Sequence, residues 1–160
     1  MTAQVWIAIL VGVAAMIDDL ARRQIANWIP VAALVAGLGW QVGQSGWFGV
    51  LYALGGAAAG FAAFLIFYLM GGMGGGDVKL MAGFGALLGA GRLVEAALWA
   101  AGVGGVIAAG VLGVRGIRRA LGKKEVVSST ATAEEIAHRE SIPYAPAIAL
   151  GVWLSLVPKG

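Results

Sequence analysis

Residues 24–76 read QIANWIPVAALVAGLGWQVGQSGWFGVLYALGGAAAGFAAFLIFYLMGGMGGG and contain no charged side chain. A stretch of this length is too long for a single transmembrane helix, which needs about 20 apolar residues to cross the bilayer. Polar and glycine residues cluster at 41–46, and such a cluster is typical of a turn. The stretch therefore predicts two helices, near residues 28–42 and 48–70. The glycine-rich segment 71–76 ends the second helix, because glycine loses more conformational freedom in a helix than any other residue.

The composition of the whole chain is that of a membrane protein. Of its 160 residues, 60% are hydrophobic and 12% are charged, whereas a soluble domain carries about 25% charged residues. The chain thus has too little polar surface to cover a globule in water, and lipid must be the solvent for much of it. The 27 glycines lie within the apolar stretches, where small residues let membrane helices pack closely. The length fits a single domain, which we expect to span residues 1–160.

Four further apolar stretches extend the prediction to an all-α, polytopic membrane bundle of about six transmembrane helices. They are residues 1–17, 78–91, 96–114 and 141–158. Lys and Arg are enriched on the cytoplasmic side of membrane proteins. With the N-terminus outside, nine of the 11 Lys and Arg residues fall on the cytoplasmic side, and only Arg92 and Lys159 fall outside. The charge distribution therefore predicts a multi-pass membrane protein with both chain ends outside.

The most strongly charged segment, residues 115–142, is predicted to be a cytoplasmic loop within this domain. Its basic residues lie between apolar spans, where they determine topology and contact anionic lipid headgroups. The net charge of +3 therefore indicates contact with membrane lipid, and we expect no nucleic-acid partner.

All three aspartates of the chain, Asp18, Asp19 and Asp77, lie at the predicted cytoplasmic ends of spans. An ionisable residue at membrane depth is costly and is a functional candidate by default. When two carboxylates share a site, one keeps a proton while the other stays charged. The charged group can activate a water, and the protonated group can polarise a peptide carbonyl, as in aspartic proteases. We expect no metal and no cofactor for this chemistry, and the chain has no cysteine to serve as a nucleophile.

The residues before Asp77 also indicate how a substrate could bind. Gly74, Gly75 and Gly76 carry no side chain, so an extended peptide can lie against their backbone. Irregular backbone persists near the bilayer only where it is packed in protein or lines a wet cavity. We therefore predict that these three glycines contact the substrate.

Two motifs resemble those of the type IV prepilin peptidases, membrane aspartic proteases with a Gly-x-Gly-Asp motif. The first, residues 19–27, has an aspartate followed six positions later by isoleucine, and it closes with asparagine. The second, residues 74–79, reads Gly-x-Gly-Asp-x-Lys. The proline-bearing segment 142–151 is also similar to the closing segment of the family, so the resemblance covers nearly the whole chain.

The resemblance implies roles for individual residues. Asp19 and Asp77 are the implied catalytic residues, whereas Asp18 is expected to be solvated or to lie at a helix end. Asn27 and Lys79, as residues of the two motifs, join the three glycines as implied substrate-binding residues. Lys79 could instead extend to the membrane edge or tune the charge of Asp77.

The chain departs from the family pattern in two ways. Ala26 stands where the first motif usually has proline, which we expect to soften the turn without changing the chemistry. The chain also lacks the insert with paired Cys-x-x-Cys motifs that larger members carry, since it has no cysteine. It is therefore similar to the short, peptidase-only type of tight-adherence or Flp pili, without N-methyltransferase activity. The implied substrates are prepilins and pseudopilins with a hydrophobic N-terminal helix, cleaved at the cytoplasmic face.

Other functions remain open on the sequence alone. A small proton- or ion-coupled transporter could use the same aspartates as a relay, although transporters more often hold their sites near the bilayer midplane. A non-catalytic assembly protein of a secretion apparatus would explain the glycine-rich packing but not both motifs. The aspartates could also merely cap helices or pair with Arg22, Arg23 or Lys79.

Overall fold

The computed structural model describes residues 2–71, 73–120 and 144–157. In this part of the chain all regular secondary structure is helical, which confirms the predicted all-α class. The helices are α1 (Ala3–Arg22), α2 (Trp28–Ser45), α3 (Trp47–Leu69), α4 (Gly75–Ala120) and α5 (Ala145–Ser155).

The first helix is longer than the charge pattern predicted. It does not end at Ile17 but continues through Asp18 and Asp19 to Arg22. Arg23 then ends it, with a φ of 53° and its N–H bonded to the carbonyl of Asp19 at 2.7 Å. This is the left-handed C-cap with which many helices end. Both aspartates therefore project from the last turns of a helix and not from a polar loop.

The fourth helix is interrupted at Gly89, where φ is 71° and ψ is 165°. The sequence predicted separate spans at residues 78–91 and 96–114. A break between them at Arg92 and Glu95 is wrong, because both residues are helical. Glycine adopts a positive φ without steric cost, so the chain breaks there and not at the charged residues.

Two side-chain amides stabilise the backbone beside this break. The carbonyl of Leu87 accepts a hydrogen bond from Gln4 Nε2 at 2.8 Å and another from Gln41 Nε2 at 3.3 Å. Irregular backbone at membrane depth is tolerated where the protein itself supplies such partners. The break is thus held by contacts from α1 and α2.

Three stretches are long and apolar enough to cross a membrane, namely Ala3–Arg22, Trp47–Leu69 and Gly75–Val111. The 18-residue helix α2 ends in polar residues and does not reach the hydropathy of a candidate span. Helix α5 has 11 residues, and at about 1.5 Å per residue it covers roughly half of a hydrocarbon core about 30 Å thick. The chain is a helical membrane protein, and the predicted count of six spans is not confirmed.

The charged segment predicted as a loop at residues 115–142 begins as helix, because α4 continues through Ala120. Three of residues 115–120 are arginine, which favours helix. The rest of the predicted loop, residues 121–142, lies outside the described residues, and so do residues 141–143 and 158 of the predicted last span.

The N-terminal part of α4 lies at the centre of the fold. Helix α4 as a whole packs against α2, α3 and α5, and the side chains Leu80 and Phe84 of its N-terminal part are fully buried. Glycines allow the close approach of α3, because a Cβ atom on Gly56 would collide with the backbone of Gly85 in α4. This is the close packing of small residues that membrane helices use in place of a hydrophobic driving force.

Helix α1 is fixed to α5 on the other side of the bundle. The indole Nε1 of Trp153 donates a hydrogen bond to the carbonyl of Ala8 at 3.0 Å, and the ring of Trp153 lies against Gly12. This packing brings the C-terminal end of α1 to the N-terminal end of α5.

Candidate active site

Asp19 lies in the last turn of α1 and is buried, with 6% of its surface exposed. Its Oδ2 atom accepts a hydrogen bond from the backbone N–H of Ala145, the first residue of α5, at 3.1 Å. The first N–H groups of a helix have no partner within it, and the helix dipole there favours negative charge. The N-terminus of α5 therefore supplies the donor that a buried carboxylate needs.

Asp77 lies in the first turn of α4 and is 7% exposed. Its Oδ2 atom accepts the N–H of Gly74 at 3.2 Å, and its own N–H donates to the Gly74 carbonyl at 3.1 Å. Its other oxygen, Oδ1, is buried and accepts no hydrogen bond from the described residues. A buried oxygen without a donor is costly, so this atom is suited to carry a proton or to meet a polar group of a ligand.

The structure brings these two aspartates together at one end of the bundle. They are close enough for the charge of Asp19 to act on Asp77. Two interacting carboxyl groups in a buried site favour the state in which one of them carries a proton. The two groups can therefore exist as one carboxylate and one carboxylic acid, while the catalytic role of both residues stays a prediction.

A hydrogen bond joins the two motifs beside the aspartates. Lys79 Nζ donates to the side-chain oxygen of Asn27 at 3.0 Å on the exposed surface. Arg22 Nε lies 3.4 Å from Asp18 Oδ1. The predicted substrate contacts of Asn27 and Lys79 stay predictions, and the bond between them connects the residue before α2 with α4.

The three glycines before Asp77 occupy different positions. Gly74 is exposed, but both its N–H and its carbonyl bond to Asp77. Gly75 and Gly76 are half-buried in the first turn of α4, whose N–H groups have no partner within the helix. A Cβ atom on Gly76 would lie only 3.1 Å from the Cβ of Ile25. A side chain at position 76 would thus require Ile25 to move by a few tenths of an ångström, and the contact of Gly76 with substrate stays a prediction.

Two residues of this region were not identified as site residues from the sequence. Asp18 was expected to be solvated or to lie at a helix end. It does lie near the end of α1, but its side chain is only 15% exposed, and its Oδ2 atom accepts the N–H of Ala26 at 2.7 Å. An aspartate can bond to backbone groups nearby in the chain, and this is the signal that could have indicated Asp18. Ala145 contributes only its backbone, and the signal for it was the helix start marked by Pro146.

Comparison with known proteins gives one match. Residues 6–109 match the model of the type IV leader peptidase family. The matched range contains both motifs, with Asp19 in the first and Asp77 in the second. No curated protein and no solved structure matches the chain. Because the family match covers well over half of the sequence, the chain belongs to the type IV leader peptidase family.

Proposed function

We propose that the chain is an aspartic endopeptidase that removes the leader peptide of type IV prepilins and pseudopilins at the cytoplasmic face of the inner membrane. Membership of the leader peptidase family supports the peptidase activity. The aspartic mechanism rests on one observation, the two buried and interacting carboxyl groups of Asp19 and Asp77 at one end of the bundle.

The surroundings of the two carboxyl groups favour different roles. Asp19 faces a backbone donor at the start of α5, where the helix dipole stabilises negative charge. We assign Asp19 as the carboxylate that takes a proton from the attacking water. Asp77 has a buried oxygen without a donor among the described residues, and we assign it as the acid that protonates the scissile carbonyl.

This assignment conserves protons and electrons in both steps. The water oxygen bonds to the carbonyl carbon while its proton passes to Asp19 and the proton of Asp77 passes to the carbonyl oxygen. The resulting diol then collapses as the C–N bond breaks. Asp19 returns its proton to the leaving nitrogen, and one hydroxyl proton returns to Asp77. Each positioned proton transfer of this kind contributes about 10²–10⁴-fold to the rate.

The position of the site at helix ends suits a substrate that is itself half in the membrane. The hydrophobic helix of a prepilin can pack among the apolar helices while its basic leader stays in the cytoplasm. The first-turn N–H groups of Gly75 and Gly76 can pair with an extended segment at the cleavage point. Since the chain has no cysteine pairs, we propose peptidase activity without N-methylation, in a bundle of about six spans.

The test is cleavage of a co-expressed prepilin, followed as leader removal on a gel. We expect wild type to cut, and Asp19→Asn and Asp77→Asn each to slow cleavage by about 10²–10⁴-fold, because asparagine cannot transfer the proton. Glu95→Gln is the matched control, because it also replaces a carboxyl group by an amide. Glu95 lines a cavity with Thr2 and Gln4, at the end of α1 opposite the aspartates. It should cleave like wild type.

Two results would contradict the proposal. If both asparagine variants cut as fast as wild type, the aspartic mechanism is wrong although the peptidase assignment stands. If wild type inserts in the membrane yet cuts none of several prepilins, the prepilin specificity is wrong. A transporter remains less well supported, because both carboxyl groups lie at helix ends and not at the midplane.

A further inference from the structure

We propose that Asp18 is a positioning residue. Its carboxylate holds the loop between α1 and α2, residues 23–27, so that this loop fixes Asp19 relative to Asp77. The proposal rests on the proposed peptidase function for its effect on catalysis. The contacts that support it form a continuous chain from α1 through the loop to α4.

The first contact joins Asp18 to the loop. Its Oδ2 atom accepts the N–H of Ala26 at 2.7 Å, eight residues further along the chain. A short bond from an N–H to a carboxylate is charge-assisted and stronger than a neutral hydrogen bond. The contact from Arg22 to Oδ1 is longer, at 3.4 Å, and Arg22 is 76% exposed, so solvent weakens that ion pair. The bond to Ala26 is therefore the contact that holds the loop.

The backbone of the loop is shaped to return to Asp18. Arg23 adopts a φ of 53° and ends α1 directly after the two aspartates. A non-glycine residue in this conformation is strained and persists only where its surroundings hold it. After the reversal, the carbonyl of Ala26 accepts the N–H of Ile29, in the first turn of α2. Ala26 thus connects the end of α1 to the start of α2.

The second set of contacts joins the loop to α4 on both sides of Asp77. Ile25 is 9% exposed and packs against Gly76, the residue before the aspartate. Asn27 accepts a hydrogen bond from Lys79, two residues after it, at 3.0 Å. The loop therefore contacts α4 immediately before and after Asp77.

Direct packing between α1 and α4 is sparse compared with the packing of α1 on α5 and on α2. The loop is consequently a main connection between the end of α1, which carries Asp19, and the start of α4, which carries Asp77. Small displacements of reacting groups, of about 1 Å, can lower a rate by about 10²-fold. Loss of the Asp18 bond should therefore affect the chemical step more than substrate binding.

The kinetic test compares prepilin cleavage by wild type, Asp18→Ala and Asp18→Asn. We expect Asp18→Ala to lower kcat by roughly 10- to 100-fold with little change in KM. Asp18→Asn should restore most of the activity, because its amide oxygen still accepts the Ala26 N–H. Arg22→Gln is the control that removes the ion pair and keeps that bond, and it should cleave like wild type.

A structural readout tests the loop without using activity. The chain has no cysteine, so Ile25→Cys with Gly76→Cys creates the only possible disulfide, between positions that are in contact. We expect this pair to oxidise rapidly and to be protected from a maleimide–polyethylene glycol label. Adding Asp18→Ala should slow the oxidation, and adding Asp18→Asn should not.

The outcomes separate the two proposals. A wild-type kcat in Asp18→Ala would overturn the positioning role. Equal losses of kcat in Asp18→Ala and Asp18→Asn would also overturn it, because the loss of charge would then be the cause. Unchanged oxidation in Asp18→Ala would also overturn it. If wild type cuts no prepilin but Asp18→Ala slows oxidation, the peptidase proposal fails while the loop contact stands.

Discussion

The carboxyl groups of Asp18 and Asp19 are neighbours in the sequence, yet they bond to different parts of the molecule. Successive residues of an α-helix point about 100° apart, so one carboxylate faces the loop after α1 and the other faces α5. Asp18 accepts the N–H of Ala26 at 2.7 Å, and Asp19 accepts that of Ala145 at 3.1 Å. The motif spacing identified Asp19, but it could not indicate how Asp18 is bonded, because that depends on the return of the loop.

Gly76 offers a test at the scale of the residue. Its missing side chain leaves room for Ile25, whose Cβ would lie 3.1 Å from a Cβ at position 76. We expect Gly76→Val to displace the loop and slow prepilin cleavage at least tenfold, by the same positioning argument. Adding Ile25→Ala makes space and should recover part of the rate.

The control for this test is Gly39→Val, because a Cβ at Gly39 meets nothing within 4 Å. It should leave cleavage unchanged. A Gly76→Val variant as active as wild type would contradict the proposed close contact between loop and helix.

At the scale of elements, the glycines determine how the helices approach and where they break. α3 and α4 touch through backbone atoms at Gly56 and Gly85, and α4 breaks at Gly89 with a positive φ. The glycine content predicted close packing, and the glycine-rich segment 71–76 correctly predicted the end of α3. It could not predict which glycine would break α4, because the amides of Gln4 and Gln41 that bond to the nearby Leu87 carbonyl come from other helices.

Two adjacent glycines of α3 give a matched comparison of stability. A Cβ on Gly56 would collide with Gly85, whereas one on Gly55 meets nothing within 4 Å. We expect Gly56→Ala to destabilise the fold by about 1–3 kcal/mol through overpacking. Gly55→Ala should be neutral or stabilising by up to roughly 1 kcal/mol, because alanine is the better helix former.

Thermal unfolding in detergent measures both variants against wild type. Equal unfolding temperatures for the two variants would show that the contact between α3 and α4 is looser than the structure has it.

At the scale of the whole molecule, the ends of α1, α4 and α5 meet at one side of the bundle. The sequence placed Asp19 and Asp77 on a common side by counting spans, and the structure places them in one site. Three stretches are candidate spans, so the route of the remaining helices through the bilayer is a proposal. The orientation with the N-terminus outside also rests on the Lys and Arg distribution.

Single cysteines introduced into the cysteine-free chain test this orientation in intact cells. We expect Thr2→Cys and Gly91→Cys, both at exposed positions, to react with a membrane-impermeant maleimide from outside. Arg22→Cys, at the end that holds the aspartates, should react only after the cells are permeabilised. The reverse pattern would place the active site outside and contradict cleavage at the cytoplasmic face.

Properties that depend on composition and on residues close together in the chain follow from the amino-acid sequence alone. These are the membrane environment, the helical class, both aspartate motifs and the family. The surroundings of the aspartates depend on packing between distant segments, because the donor to Asp19 comes from Ala145, 126 residues away. The bond from Ala26 to Asp18 and the contact of Ile25 with Gly76 also arise from packing between segments. Such contacts depend on how helix ends meet in space, which local patterns do not encode.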